Sequence, residues 1–166
     1  SAVVAALTGC ANRIGYGEMR EGSGFVSKAI CGSHSEDHVI ERYLDVARYL
    51  GADVKNIEFP LPNLAKEEQS VRKKLAEKGY NEQKYVVFVP GARWETKEWS
   101  PKHYAALADK VTQDGTFVVL AGGPDERKKA ALIEATAETD KIIDLTGQTS
   151  LRELAALIKG CKVFIS

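Results

Sequence analysis

From Tyr85 onward the apolar positions fall into a repeating pattern: short unbroken runs of strand formers, each followed by apolar residues spaced three and four apart. Tyr85–Pro90 reads as a buried strand and Gly91–Trp99 as a polar loop. The next helix has Ser100 as its cap and Pro101 at its first position, where a missing N–H costs nothing. Tyr104, Leu107, Ala108 and Val111 form its stripe, and Gly115 ends it. The strand Thr116–Ala121, the turn Gly122-Gly123-Pro124 and a helix to about Thr139 repeat the unit, with Asp125 and Glu126 at the positive end of the helix dipole. A third strand, Lys141–Leu145, runs through Thr146-Gly147-Gln148-Thr149 into a helix opened by a Ser150/Glu153 capping box. Its stripe is Leu151, Leu154, Ala155 and Ile158, and Gly160 stops it. Lys162–Ile165 is a fourth strand. Strands separated by single helices require parallel crossovers, so the expected fold is α/β, a doubly wound parallel sheet with flanking helices.

The first half is less regular. Val3–Leu7 reads as helical, and Arg13–Tyr16 and Phe25–Ile30 as extended, with a glycine-rich stretch between. Ser35 is the expected cap of a helix whose apolar face is Val39, Tyr43, Val46 and Leu50, closed by Gly51. Two prolines in Phe59-Pro60-Leu61-Pro62 break regular structure and predict an inter-domain segment, dividing the chain into residues 1–62 and 63–166. Asn63 is positioned to cap one more helix, to about Lys78. A last strand without its following loop, where such sheets bind ligands, leads us to expect a chain truncated at both ends.

Charge and composition narrow the chemistry. The chain has 166 residues, with 23 basic against 23 acidic, so its zero net charge speaks against a nucleic-acid partner. The basic runs Arg72-Lys73-Lys74 and Arg127-Lys128-Lys129 then read as solvated helix faces. No apolar run is long enough to span a bilayer, and no basic stretch precedes the short apolar N-terminal segment as in a signal peptide. Cys10, Cys31 and Cys161 fit neither a disulfide framework nor a zinc pattern and read as reduced thiols of a cytoplasmic protein. No metal or cofactor is expected. His34 sits in a loop, His38 and His103 near the third positions of their helices, and none has the i, i+4 partner of a metal pair.

Candidate chemistry collects where parallel strands end. The loop Gly91–Trp99 leads from a strand into a helix N-terminus, whose free N–H groups favour an anion, and Lys97 adds a full positive charge. A diphosphate is the natural guest, a solvated loop lysine the plainer reading. Trp99 reads as a packing residue. Gly122 and Gly123 allow close backbone approach to a ligand, and Asp125 and Glu126 can accept from ribose hydroxyls, although a tight turn with dipole charges explains the same residues. Thr146, Gly147 and Thr149 stand at the third strand end, Thr149 also being the residue before a cap. Neither a Gly-x-Gly-x-x-Gly fingerprint nor a P-loop is present. All three openings share one rim, where a nucleotide would sit.

These residues resemble the heptosyltransferases of glycosyltransferase family 9. The likeness is carried by Pro90-Gly91-Ala92 with Lys97-x-Trp99 and Tyr104-Ala105-x-Leu107, by Val118-Val119-Leu120-x-Gly122-Gly123 with Asp125/Glu126, and by Leu145-Thr146-Gly147-x-Thr149-Ser150-Leu151-x-Glu153-Leu154-Ala155-x-Leu157-Ile158. Arg13-Ile14-Gly15-Tyr16, Arg20-Glu21-Gly22 and the helix from His38 to Leu50 are similar to the later part of the family's acceptor-side domain. The resemblance implies a GT-B fold of two Rossmann-like domains and an inverting, metal-independent transfer of heptose from ADP-heptose to a lipopolysaccharide inner-core acceptor of the lipid A–Kdo type. It further implies work at the inner face of the inner membrane and leaves room for peripheral membrane contact by the full-length protein. Residues 1–62 would be acceptor-side and 63–166 the start of the nucleotide-sugar domain. Lys97 would bind the diphosphate, Ala92 and Arg93 would contact it through their loop, Gly122 and Gly123 would let it approach, Glu126 or Asp125 would bind ribose, Thr149 would border adenosine, and Arg20 would meet the acceptor. Ala92 and Arg93 stand where some members have hydroxyl residues. The family's general base, an early Asp, and its Asp-Ser/Thr-Gly-x-x-His motif fall outside the sequence, so no catalytic residue is assigned and the chain alone is expected to be inactive. A GT-B transferase using another nucleotide-sugar such as a UDP-sugar, and a non-catalytic binding or interaction domain, are the alternatives.

Overall fold

A computed structural model describes residues 2–81, 84–92 and 94–166, Glu95 by its backbone alone. Contacts divide the chain into two compact units, Ser1–Pro60 and Leu61–Ser166.

The larger unit contains α3 (Ala65–Glu77), β3 (Tyr85–Phe88), α4 (Pro101–Val111), β4 (Phe117–Leu120), α5 (Arg127–Thr136), β5 (Ile142–Asp144), α6 (Leu151–Gly160) and β6 (Phe164–Ile165). Its four strands are parallel in the order β5-β4-β3-β6. Both faces are covered, which is why the strand sequences read as continuous apolar runs instead of alternating ones. Tyr85, Val87, Val119, Ile143 and Leu145 pack with Leu64, Val71 and Leu75 of the α3 side and Ala156 and Leu157 of α6. Val86, Phe88, Val118 and Leu120 pack on the other face against Tyr104, Ala105 and Ala108 of α4 and Ala130 and Ile133 of α5. The chain steps from β3 outward to β4 and β5, then returns to place β6 on the far side of β3. That reversal opens a crevice at the carboxyl ends of the strands, beside β3.

The smaller unit holds α1 (Ala2–Leu7), β1 (Ile14–Tyr16), β2 (Lys28–Ile30) and α2 (Val39–Tyr49). β1 and β2 are parallel, pairing Ile14 with Lys28 and Tyr16 with Ile30. The extended run expected from Phe25 begins only at Lys28, because Ser23–Phe25 closes a 3-10 turn after two left-handed residues, Glu21 and Gly22. The expected cap Ser35 is also displaced. His38, expected inside the helix, is itself the cap, its Nδ1 accepting from the Ile40 N–H at 3.3 Å. Of the expected apolar face, Val39, Tyr43 and Leu50 are exposed, and the residue α2 buries is Asp45, 4% exposed.

Other helix ends follow the sequence more closely. Ser150 and Glu153 form the expected reciprocal capping box on α6. Asn63 Oδ1 accepts from Ala65 N–H at the start of α3, although Leu64 and not Asn63 occupies the cap position. α5 stops at Thr136, three residues before the expected end, because the Glu138 and Thr139 N–H groups turn instead to Asp109 Oδ1. Among the described residues no helix is long and apolar enough to cross a membrane, and all three cysteines are free thiols.

Candidate active site

Three loops leave the adjacent carboxyl ends of β3, β4 and β5, and the structure ties them together. Gly147 N–H donates to Gly122 O at 2.9 Å, joining the β5 loop to the β4 loop, and Arg127 Nη2 adds a bond to Gly147 O. The β3 and β4 loops meet over Glu126. A methyl group at Gly91 would stand 1.5 Å from Glu126 Oε1, and one at Gly122 would stand 1.8 Å from Oε2. Both glycines therefore form a cradle for the Glu126 carboxylate, and the φ of +150° at Gly122 is a second reason for glycine there. Glu126 Oε2 is buried and meets no hydrogen-bond donor among the described residues. A buried carboxylate oxygen left open is costly. A donor supplied by a ligand hydroxyl would satisfy it.

The β3 loop carries a second carboxylate. Glu98 Oε1 accepts from the Ala92 N–H at 3.2 Å and pairs with the Lys129 ammonium of α5. Lys129, then the Ala92 N–H, hold the Glu98 carboxyl below its ordinary range against the opposing effect of burial. A backbone donor and an ammonium thus converge on one anionic oxygen, at a loop entering a helix N-terminus. Lys97 closes the 3-10 turn Glu95–Lys97 and is exposed. Trp99 stacks on His103 with ring centroids 5.2 Å apart and meets Tyr104 edge-on, the packing role expected for it.

The residues singled out in the sequence separate by exposure. Gly123 and Asp125 are exposed, Gly122 and Glu126 half-buried, and Thr149 half-buried just before the α6 cap. Thr146 faces inward, fully buried, with its hydroxyl unpaired among the described residues, so it belongs to the wall of the rim. Arg93 lies outside the described residues. Arg20, in the smaller unit, is exposed beside the Glu21-Gly22 turn. No group of three or more His, Cys, Asp or Glu among the described residues could hold a metal. A cavity of about 820 Å³ lies elsewhere, between α3 and α6 at the amino end of β3, and contains none of the rim residues.

Two groups that shape the rim, Lys74 and Glu98, carry no local signal in the sequence. Lys74 of α3 donates to Gln148 O and to Glu153 Oε1, both at 2.7 Å, and so anchors the loop that carries Thr149. Glu98 was hidden in a polar loop. A carboxylate close to Lys97 along the chain is unremarkable until the fold brings Lys129 to it.

Comparison with known proteins gives these loops a setting. The sequence model described as "Glycosyltransferase family 9 (heptosyltransferase)" matches residues 1–166. Lipopolysaccharide heptosyltransferase 3 of Escherichia coli is 33% identical over 77% of this chain and 38% of its own length. Lipopolysaccharide heptosyltransferase 2 of E. coli K12 is 28% identical over the whole chain and 50% of its own. The chain thus spans half or less of these curated relatives. Among solved structures, E. coli ADP-heptose lps heptosyltransferase II superposes with a TM-score of 0.65 and 26% identity over 98% of this chain and 52% of that one. A family 9 glycosyl transferase from Veillonella parvula, 23% identical, superposes with a TM-score of 0.73 over 87% of this chain and 42% of that one, a likeness of fold.

Proposed function

The chain belongs to glycosyltransferase family 9, the heptosyltransferases, and we propose that it serves the transfer of heptose from ADP-heptose to the inner core of lipopolysaccharide, with unit Leu61–Ser166 as the donor-binding part. The observation that carries this reading is the cradle at the carboxyl ends of β3, β4 and β5. There the half-buried Glu126, with one carboxylate oxygen buried and open, faces a loop with converging anion donors. Glu126 accepts from the ribose hydroxyls, with the exposed Asp125 as the second candidate. Lys97 and the N–H groups around Ala92 and Arg93 hold the diphosphate, Gly122 and Gly123 let it approach the backbone, and Thr149 borders the adenosine. The relatives named for heptose transfer to lipopolysaccharide support the substrate class.

In this reading an acceptor hydroxyl attacks the anomeric carbon of the heptose from the face opposite the ADP, with inversion. The charge that develops on the departing ADP is met by Lys97 and by backbone donors, which stabilise it without a metal. No residue of this chain is assigned as the base. Residues 1–62 serve the acceptor, through Arg20 among others, and the reaction takes place on the cytoplasmic side of the inner membrane.

Calorimetric titration with ADP, UDP and GDP tests the donor. ADP is expected to bind most tightly, and Lys97→Ala to weaken it about tenfold, the loss of one charge-assisted contact. Preference for UDP or GDP would move the reading to another nucleotide-sugar. A binding domain without catalysis is separated from the enzyme by assaying heptose transfer with the full-length protein.

A second titration probes Glu98. Its carboxylate occupies donors that a diphosphate would use, so Glu98→Gln is expected to tighten ADP about threefold and leave adenosine unchanged. Weaker ADP binding by this variant would show that Glu98 positions the loop and does not compete with the ligand.

A further inference from the structure

The best-connected buried charge of the smaller unit lies outside the nucleotide rim. Asp45 of α2 is 4% exposed and accepts four hydrogen bonds: from Tyr16 OH at 3.0 Å, His34 N–H at 3.1 Å, His34 Nδ1 at 2.7 Å and Arg48 Nη1 at 3.1 Å. Arg48 is itself held by Glu41, at 2.7 Å. Burial alone would raise the Asp45 carboxyl, but the bonds from His34, Tyr16 and Arg48 outweigh it and hold it at about 2. Asp45 is therefore a carboxylate at neutral pH.

That charge fixes the state of the histidine. A bare ring nitrogen 2.7 Å from a carboxylate oxygen would set two lone pairs against each other, so Nδ1 carries a proton and donates it to Asp45. Ser33 Oγ at 3.1 Å and Arg48 Nη1 at 3.3 Å also approach Nδ1, but neither is as close. When the imidazole is neutral, its acceptor lone pair is on Nε2, which no described residue engages, in a side chain that is 30% exposed. The placement is also suited to a ligand. Tyr16 ends β1, and His34 lies four residues beyond the end of β2, so both stand at the carboxyl end of this parallel pair.

We propose that His34 and Asp45 form a hydroxyl-binding dyad, in which Asp45 orients the ring and His34 Nε2 accepts a hydrogen bond from a hydroxyl of the acceptor sugar. The dyad rests on the glycosyltransferase reading and adds a residue to its acceptor side. His34 is the binding group and Asp45 its positioning residue.

Two measurements test it. Nitrogen-15 NMR of the purified chain above the imidazole titration is expected to show the Nδ1–H tautomer with Nε2 bare. The Nε2–H tautomer would overturn the dyad outright. In the full-length protein, with a deacylated lipopolysaccharide acceptor lacking heptose, His34→Ala is expected to raise the KM for acceptor about tenfold. The KM for ADP-heptose should stay within twofold, and His34→Gln should recover part of the loss through its amide oxygen. An unchanged acceptor KM in His34→Ala, while ADP still binds, would make His34 a loop clamp and end the proposal without touching the donor reading. Absence of both transfer and ADP binding in the wild type would sink the donor reading and, with it, the acceptor role of the dyad.

Discussion

Glu153→Ala is expected to lower the unfolding free energy of the larger unit by about 3 kcal/mol. The sum is the lost reciprocal bond of the capping box, about 1 kcal/mol since the Ser150 Oγ half remains, and charge-assisted bonds worth about 1.5–3 kcal/mol together. Glu153 Oε2 accepts from Ser150 N–H at 2.8 Å while Oε1 accepts from Ser70 Oγ at 2.6 Å and Lys74 Nζ at 2.7 Å, so one side chain closes the α6 cap and pins α6 to α3. Glu153→Gln separates the two roles. Glutamine still completes a capping box, so only the charge on the Lys74 side is lost, and a change of about 1 kcal/mol in urea unfolding is expected. The pH dependence gives a further check. Lys74 first, then Ser70 and Ser150, depress the Glu153 carboxyl to about 2 from its ordinary 4.5. A carboxyl depressed on folding stabilises the native state fully above its unfolded pKa and loses that contribution as pH falls through the folded one. The gap between wild type and Glu153→Gln should therefore be constant above about pH 5.5 and narrow between about 4.5 and 2. A gap that stays constant down to pH 2 would mean that the Lys74 pair is solvent-screened.

The same residue marks how far the sequence could be read. The capping box was legible because both of its partners lie three positions apart on one chain segment, and local geometry decides it. The βα alternation was legible for a similar reason: strands buried on both faces are unbroken apolar runs, and the stripes of α4 and α6 follow a single period. What could not be read is what depends on partners far along the chain. Ser70 and Lys74 reach Glu153 across about 80 positions. Glu98 meets Lys129 only once β3 and β4 are paired. Glu126 was visible as a carboxylate near two glycines, yet half of its cradle comes from Gly91, which belongs to a different strand end.

The smaller unit shows the opposite case, a local rule overridden by close approach. Helical periodicity puts Val39, Tyr43, Val46 and Leu50 on the inner face of α2, and three of these are exposed. Asp45 turns inward instead because Gly32 leaves room for it and because Tyr16, His34 and Arg48 satisfy its charge. A buried ion normally costs more than it returns unless every lone pair is engaged, a condition met here by the four donors. The unit also has little else to hold it, since Ile30 is its one buried apolar side chain among the described residues.

Gly32→Ala is accordingly expected to have the largest effect in the smaller unit. Its new methyl group would fall 1.9 Å from Asp45 Cγ and 2.5 Å from Asp45 Cβ. The near atoms include the root of the side chain and not merely its tip, so Asp45 cannot swing clear without leaving Tyr16, His34 and Arg48. Breaking a buried charge network by displacing one member typically costs about 3–5 kcal/mol, enough to unfold a unit this small. Hydrogen exchange is the sensitive measurement. In Gly32→Ala the amides of β2 and of α2 should lose protection, while those of β3 and β4 keep theirs. Asp45→Asn serves as the comparison: the side chain still fits, but an amide cannot accept all four bonds, and a smaller loss of about 2 kcal/mol is expected. If Gly32→Ala retained wild-type protection in α2, the contact between Gly32 and Asp45 would not be what sets the helix in place.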